Sequence, residues 1–331
     1  MAALLVVAAA VRVADIFWHP NGPDEGFTMD LASGSWTELI QKTAADTHPP
    51  LHYMMVKLWL AVVPGRLFAA KSLTIIFAVA TIWLTFLLAK RWFTERAAWL
   101  AAACMAAAPY QIYWSHIARS HPIMPFFVTA LFLLSWEFVE HARRRDWLAI
   151  AAIWTICLYM NYMIVVIGVV WAAVFIFEAG EQRRKIALAL SPIPAAIAFI
   201  PWLGIVRSQM EKGPMNIAFF QQPMTPISLY YHSLFGQPTY LPPAQSGVLY
   251  LLALAVFVAI SAAGAKAVGS RLTIWLILLA LPGLPMVIAW ARHWTLAERH
   301  LLFALPFFMA YWGASLDRAI SYFFAWARFS R

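Results

Sequence analysis

Long apolar runs separated by short polar and often basic stretches make up most of this chain. Runs near 2–18, 66–89, 97–117, 122–140, 147–160, 163–177, 186–206, 247–265, 272–290 and 300–316 each predict a helix able to cross a bilayer. The stretch Trp147 to Phe177 reads either as one long tilted helix or as two short ones broken at Tyr159-Met160-Asn161-Tyr162. Loop charge arbitrates, because only the break puts Arg143–Arg145 and Arg183–Lys185 on the same side. Ten spans then place both termini in the cytoplasm.

That topology assigns residues 19–65 and 207–246 to long external loops, with short external connections at 118–121, 160–162 and 291–299. The first loop reads as structured. Ser35-Trp36-Thr37-Glu38 has the spacing of a capping box and predicts a short helix over 36–45. Leu51 to Val63 is apolar but too short to span, and with His52, Lys57 and Trp59 it predicts a helix along the interface that contacts headgroups. Pro49-Pro50 precedes it and Pro64-Gly65 ends it. Prolines and tyrosines in 207–246 suggest an ordered lid.

Composition narrows the class. The chain is 63% hydrophobic and 12% charged, with 17 Trp and 23 Phe. A soluble domain carries charge at about 25%. The expected fold is an all-α polytopic membrane bundle of about ten helices forming a single domain over 1–331, and a β-barrel would instead alternate in ten-residue segments. The net charge of +9 does not point to nucleic acid. Its basic residues gather in short loops, at Lys90-Arg91 with Arg96, Arg143–Arg145, Arg183–Lys185, Lys266 with Arg271, and Arg318 with Arg328 and Arg331, as the positive-inside rule requires. Cys104 and Cys157 fall in apolar segments and read as small buried hydrophobes. The N-terminus lacks a basic n-region, so it reads as a short first span, one that has lost a few residues, rather than a cleaved signal peptide.

The candidate chemistry lies in the external segments. Asp24-Glu25 follows the first span directly, and a carboxylate there suits a general base that deprotonates an acceptor hydroxyl. Partial burial against Trp18 and lipid is expected to raise its pKa towards the useful range. The bland alternative is a solvated Pro-Asp turn. Arg119 and Arg299 sit at external helix ends, where they either snorkel or grip a phosphate, with His300 beside them. Asp46 and His48 suit acceptor orientation, a divalent metal or plain loop polarity, and His116 and His121 flank Arg119. His19, His232 and His293 are scattered, and no spacing defines a metal site.

The order of these elements resembles the GT-C membrane glycosyltransferases. An apolar helix carrying Arg12 is followed by Asp24-Glu25, by His48-Pro49-Pro50-Leu51 and by Arg66-Leu67. Ala118-Arg119-Ser120-His121 resembles that superfamily's Ala-Arg-x-Tyr segment with His for Tyr. Glu298-Arg299-His300-Leu301-Leu302 before Pro306 resembles its Arg-Tyr-Leu-x-x-x-x-Pro segment, again with His for Tyr. Tyr159–Tyr162 is similar to its break between paired helices, and Pro201-Trp202 fits the external end of a later helix. The branch most similar holds the protein O-mannosyltransferases, aminoarabinose transferases and RgtA/B/C/D-like sugar transferases. At 331 residues the chain is shorter than many of them, and no large C-terminal external domain is expected.

The resemblance implies an inverting transferase that takes a sugar from a polyprenyl phosphate to a lipid, glycan or protein acceptor on the external face; a bacterial inner membrane is the expected location. It implies Asp24 as catalytic base and Glu25 as a supporting or acceptor-orienting group. Independently of it, the chain offers no glycine-rich loop or soluble domain for a sugar nucleotide. A lipid phosphate needs fixed cations at the external interface, which Arg119 and Arg299 supply, with His300, His48, Asp46 and His121 around the substrate. The rival classes are a transporter or flippase for an amphiphile, a polymerase or ligase of lipid-linked glycans, and a non-catalytic scaffold. A transporter would carry midplane ionisable residues and paired repeats, which the pattern lacks.

Overall fold

The computed structural model describes residues 1–16, 22–211, 243–292, 296 and 298–329, and among these there are helices and no strands. The ten apolar runs are mostly helical where described, but 97–117 breaks at Ala108 and 186–206 at Ser191-Pro192. Three helical runs, Leu67–Trp92, Gln182–Glu211 and Leu272–Ala291, are long and apolar enough by length and composition to cross a membrane, while Ala2–Ala14 and Met163–Glu178 are shorter apolar helices.

The segments after the first helix, α1 (Ala2–Asp15), hold three short helices, two of them where the sequence predicts helices. α2 (Pro23–Ser33) is a helix where the bland alternative was a solvated Pro-Asp turn. Pro23 occupies its first turn, where a missing N–H costs nothing, and Asp24 and Glu25 meet the positive end of the helix dipole. The Glu25 carboxylate accepts from the Gly22 N–H at 3.0 Å. α3 (Trp36–Ala45) forms where its capping box predicts, with Glu38 N–H on Ser35 Oγ at 3.1 Å and Ser35 N–H on Glu38 Oε2 at 2.6 Å. α4 (Leu51–Leu60) follows Pro49-Pro50. Gly65, at φ +81°, adopts the left-handed conformation that opens α5 (Arg66–Trp92). At 1.5 Å per residue α5 runs about 40 Å, from the α2–α4 end of the bundle to the opposite end.

α6 (Glu95–Ala107) starts on a Thr94 cap and stops before Pro109, which opens α7 (Pro109–Ser115). Arg12 of α1, wholly buried, enters this break and donates to Ala106 O at 3.1 Å, to Ala8 O at 2.9 Å and to Gln111 Oε1. Gln111 in turn donates to Ala78 O at 2.9 Å. In an apolar interior a free backbone carbonyl is costly, and a guanidinium rich in donors fills that need.

α8 (Met124–His141) turns back through Ala142, at φ 52°, into α9 (Arg144–Met160), and α10 (Met163–Glu178) follows after a break at Asn161-Tyr162. The two-helix reading of 147–177 is therefore the right one. Asn161 makes the break favourable, because its Oδ1 accepts the Met163 N–H at 3.0 Å and so caps α10. The run Gln182–Glu211 consists of α11 (Gln182–Leu190), α12 (Ile193–Phe199), a 3₁₀ turn and α13 (Leu203–Glu211). After the undescribed stretch come α14 (Pro243–Val268), α15 (Leu272–Ala291), a 3₁₀ segment Glu298–Ala304 and α16 (Leu305–Phe329).

α16 lies along α6, α14 and α5, and small residues let it do so. Ala97, Ala98, Ala101 and Ala102 form a buried face of α6. A methyl group on Gly313 would lie 2.2 Å from Ala97 O and 2.6 Å from Ala101 N. Where lipid offers no hydrophobic gain for helix association, such backbone contact is the main attraction. Gly313→Val is expected to lose about 1–3 kcal/mol or more of stability, read as an earlier thermal transition of the detergent-solubilised protein. Gly283→Ala, with open space around it, should leave that transition in place.

Candidate functional site

At the α2–α4 end of the bundle, residues from five separated stretches meet. The loop after α7 carries Arg119, and that loop is clamped from two sides. Thr28 of α2 donates to Ala118 O at 2.9 Å, and His52 Nε2 of α4 donates to the same carbonyl at 3.1 Å. His52 is 2% exposed and burial lowers its pKa to about 3, so it is a neutral donor here. Lys57 donates to Ala32 O at 3.2 Å and to Gly34 O. These two residues thus tie α4 to its neighbours instead of contacting headgroups as expected. The apolar face of a helix this short buries inward, and its polar groups find backbone carbonyls there.

So clamped, Arg119 donates from Nη2 to Asp24 Oδ1 at 2.7 Å and from Nη1 to Tyr53 Oη at 2.6 Å. Its guanidinium lies near the Phe27 ring, 5.5 Å from the centroid, and the Tyr53 ring, at 6.0 Å. Burial opposes the Asp24 charge. The hydrogen bond and charge of Arg119, with weaker help from Arg299 and His48, outweigh it and lower the pKa below the usual carboxylate value. This corrects the expectation of a raised value, since the nearest group is a cation and not lipid. Desolvation works against Arg119 as well, yet Tyr53, Asp24 and Asp46 raise its pKa.

Asp24 and Glu25 point to different surroundings. Glu25 is 1% exposed and its Oε1 lies 3.5 Å from Lys71 Nζ of α5, itself wholly buried. Lys71 also reaches Ile16 O at 3.5 Å. Asp24 keeps 41% of its side chain exposed. Consecutive helical positions diverge by about 100°, so one carboxylate anchors α2 to α5 while the other opens to the site.

A second group adjoins the first. Asp46, at the end of α3, accepts from His48 Nδ1 at 3.1 Å, although burial disfavours its charge; His48 and Arg119 still lower its pKa. The His48 and His121 rings lie 6.2 Å apart and those of His121 and His300 4.9 Å, in edge-to-face arrangement. Asn161 Nδ2 lies 3.3 Å from His121 Nδ1. Burial, then the fields of His300, His48, Arg299 and Arg119, push the His121 pKa well down, so His121 is neutral. Among the described residues no three His, Cys, Asp or Glu side chains come together as metal ligands.

Seven of the eight predicted site residues therefore share one end of the fold: Asp24, Asp46, His48, Arg119, His121, Arg299 and His300. Glu25 supports them from behind. His116 does not line this cluster; it is buried and bonds Arg12 O at 2.8 Å. The sequence reading missed Tyr53, Phe27, Lys71 and Asn161. A lone lysine in an apolar span was the one available signal for Lys71. Residues 19, 232 and 293, and the loop 212–242, lie outside the described residues.

Two solved structures share this architecture. ArnT from Cupriavidus metallidurans matches in its apo state at 17% identity and TM-score 0.63, over 95% of this chain and 59% of that one. The same protein bound to undecaprenyl phosphate matches at 18% identity and TM-score 0.62, over 95% and 60%. The chain has the GT-C fold. It spans about three fifths of the length of ArnT. The family described as dolichyl-phosphate-mannose-protein mannosyltransferase matches residues 47–205 of this chain, from the His48 loop through Arg119 to Pro201-Trp202. No curated protein sequence matches.

The Lys71–Glu25 pair should carry stability and not chemistry. Lys71→Met leaves a buried carboxylate uncompensated and is expected to cost roughly 3–5 kcal/mol. The double variant Glu25→Gln/Lys71→Met should recover most of that loss in thermal unfolding, whereas independent sites would simply add.

Proposed function

We propose that this GT-C chain is an inverting glycosyltransferase that uses a polyprenyl-phosphate sugar on the external face of a bacterial inner membrane. The observation that carries the reading is the Asp24–Arg119 pair, with Arg299 and three histidines within electrostatic reach, at one end of an apolar bundle. A topology of ten spans with the basic clusters inside supports that end facing outside. ArnT, whose fold this chain shares, binds undecaprenyl phosphate.

In this reading the acceptor hydroxyl gives its proton to the Asp24 carboxylate while its oxygen bonds to the anomeric carbon. The bond from that carbon to the phosphate oxygen breaks on the opposite side, and the polyprenyl phosphate leaves with the electron pair. Arg299 and Arg119 stabilise the charge it gains. Inversion follows from a single displacement. Glu25 holds α2 in register, and Asp46, His48, His121 and His300 line the acceptor and sugar.

Arg119 then has two tasks. Its hydrogen bond keeps Asp24 ionised before substrate binds, and its remaining N–H groups suit a phosphate oxygen. As phosphate charge builds, the guanidinium is drawn towards it, and Asp24 becomes more basic when the proton must move.

Envelope lipids, glycans and glycoproteins from a deletion strain, complemented with wild type or Asp24→Asn, test the reading by mass spectrometry. A product short by one sugar in the deletion and with Asp24→Asn, restored by wild type, is expected. Full restoration by correctly inserted Asp24→Asn removes Asp24 as base and favours a transporter or scaffold. Loss of a general base should slow purified enzyme about 10²–10⁴-fold. Arg119→Gln should also move the acid limb of the pH–rate profile upwards. Without Arg119, burial is opposed only by the weaker fields of Arg299 and His48, so the Asp24 pKa rises and protonation inactivates the base at a higher pH than in wild type.

A further inference from the structure

The end of the bundle opposite Asp24 holds a cavity that the proposed chemistry does not use. It has a volume of about 550 Å³, and Trp92, Phe93, Arg271, Asp317, Arg318 and Tyr322 are among the residues that line it. It lies where the ends of α5 and α14 meet the start of α6 and the middle of α16.

Its charges do not balance. Asp317 is its one acidic wall residue, and it is already taken. Thr94 Oγ1 donates to it at 2.8 Å, and Arg96 forms an ion pair with it. Arg271, Arg318 and nearby Lys266 have no acidic partner among the described residues. Arg271 spends its donors on helix-end carbonyls, Val268 O at 3.0 Å, Ala267 O at 2.5 Å and Trp92 O, and stacks over Phe93 at 4.8 Å. Arg318 donates to Lys266 O at 2.9 Å. Arg318 and Lys266 both approach the Tyr322 ring, at 6.0 and 5.7 Å.

Three cations on aromatic walls without a counter-acid make a site for an anion. An adjoining cavity of about 440 Å³ shares Trp92 and Arg271 but adds Glu140 and Glu178, and so does not suit one. Apolar residues flank the first cavity. Leu272, Phe323 and Phe324 are 62%, 61% and 58% exposed. A free phosphate gains nothing from such a rim, whereas acyl chains lie along it. We propose that this cavity binds the phosphate headgroup of an anionic phospholipid, with Arg318, Lys266 and Arg271 on the phosphate and the chains along α15 and α16. Basic pockets between helices at the cytoplasmic interface favour such headgroups.

Native mass spectrometry of the full chain in detergent, titrated with phosphatidylglycerol or phosphatidylcholine, tests this. One phosphatidylglycerol should bind well ahead of phosphatidylcholine and resist millimolar inorganic phosphate. Arg318→Gln/Lys266→Gln should weaken that lipid about ten-fold or more. Ser321→Glu leaves the three cations in place but sets a carboxylate on the cavity wall, and should weaken binding similarly. It serves as the test if the double variant does not fold. Arg143→Gln/Arg145→Gln, which removes charge at the same end but outside the cavity, should leave the tight lipid in place. Equal weakening by that control, or no preference for phosphatidylglycerol, overturns the site. Displacement by inorganic phosphate makes it a free-anion site and overturns the lipid assignment.

Discussion

The Asp24–Arg119 ion pair is the contact on which the arrangement of the site end depends. It joins the first turn of α2 to a loop nearly one hundred residues later, and it is half-buried, so neither partner is solvated enough to stand alone. Everything near it serves to aim it. Thr28 and His52 hold the Ala118 carbonyl, Tyr53 holds the other arm of the guanidinium, and Phe27 packs against its face. The pair also sets the electrostatics. A carboxylate that burial alone would push towards neutrality is kept charged, and the neighbouring His121 is kept neutral.

Charges deeper in the bundle follow a different rule. Arg12 and Lys71 are wholly buried within apolar spans, where a transporter would place its working residues. Each is consumed locally. Arg12 satisfies carbonyls beside the break before Pro109, and Lys71 faces Glu25. The same economy governs the small-residue seam of α6 and α16, where backbone approach replaces the burial of large side chains. The cost of an unsatisfied polar group in an apolar medium explains both, and it also explains why breaks in these helices coincide with side chains that cap them, as at Asn161.

The two ends of the bundle differ in how their cations are used. Near Asp24 the arginine is paired with a carboxylate and a phenol in a partly enclosed site. At the other end, Arg91 and Arg96 find acids, whereas among the described residues Arg271, Arg318 and Lys266 find carbonyls, rings and the Tyr322 hydroxyl but no acid. One arrangement fits chemistry on a bound substrate, the other a lipid surface.

The apolar runs alone determined that the chain is a helical membrane bundle, and the capping box and prolines located α3 and α4, because helix periodicity and end chemistry are local properties. Loop charge correctly divided 147–177, although it did not reveal that Asn161 would both end α9 and touch His121. The motifs also named most of the residues that the fold gathers at one end, since Arg119, His121, Arg299 and His300 are polar groups at the ends of apolar helices and Asp24 follows the first one. Tertiary structure decided which of them meet. It separated Asp24 from Glu25 by a helical step, sent His116 to Arg12 instead of the site, and turned His52 and Lys57 inward. It also reversed the expected pKa of Asp24. Those outcomes depend on contacts between residues far apart in the chain, and electrostatics falls off over distances that no sequence spacing encodes.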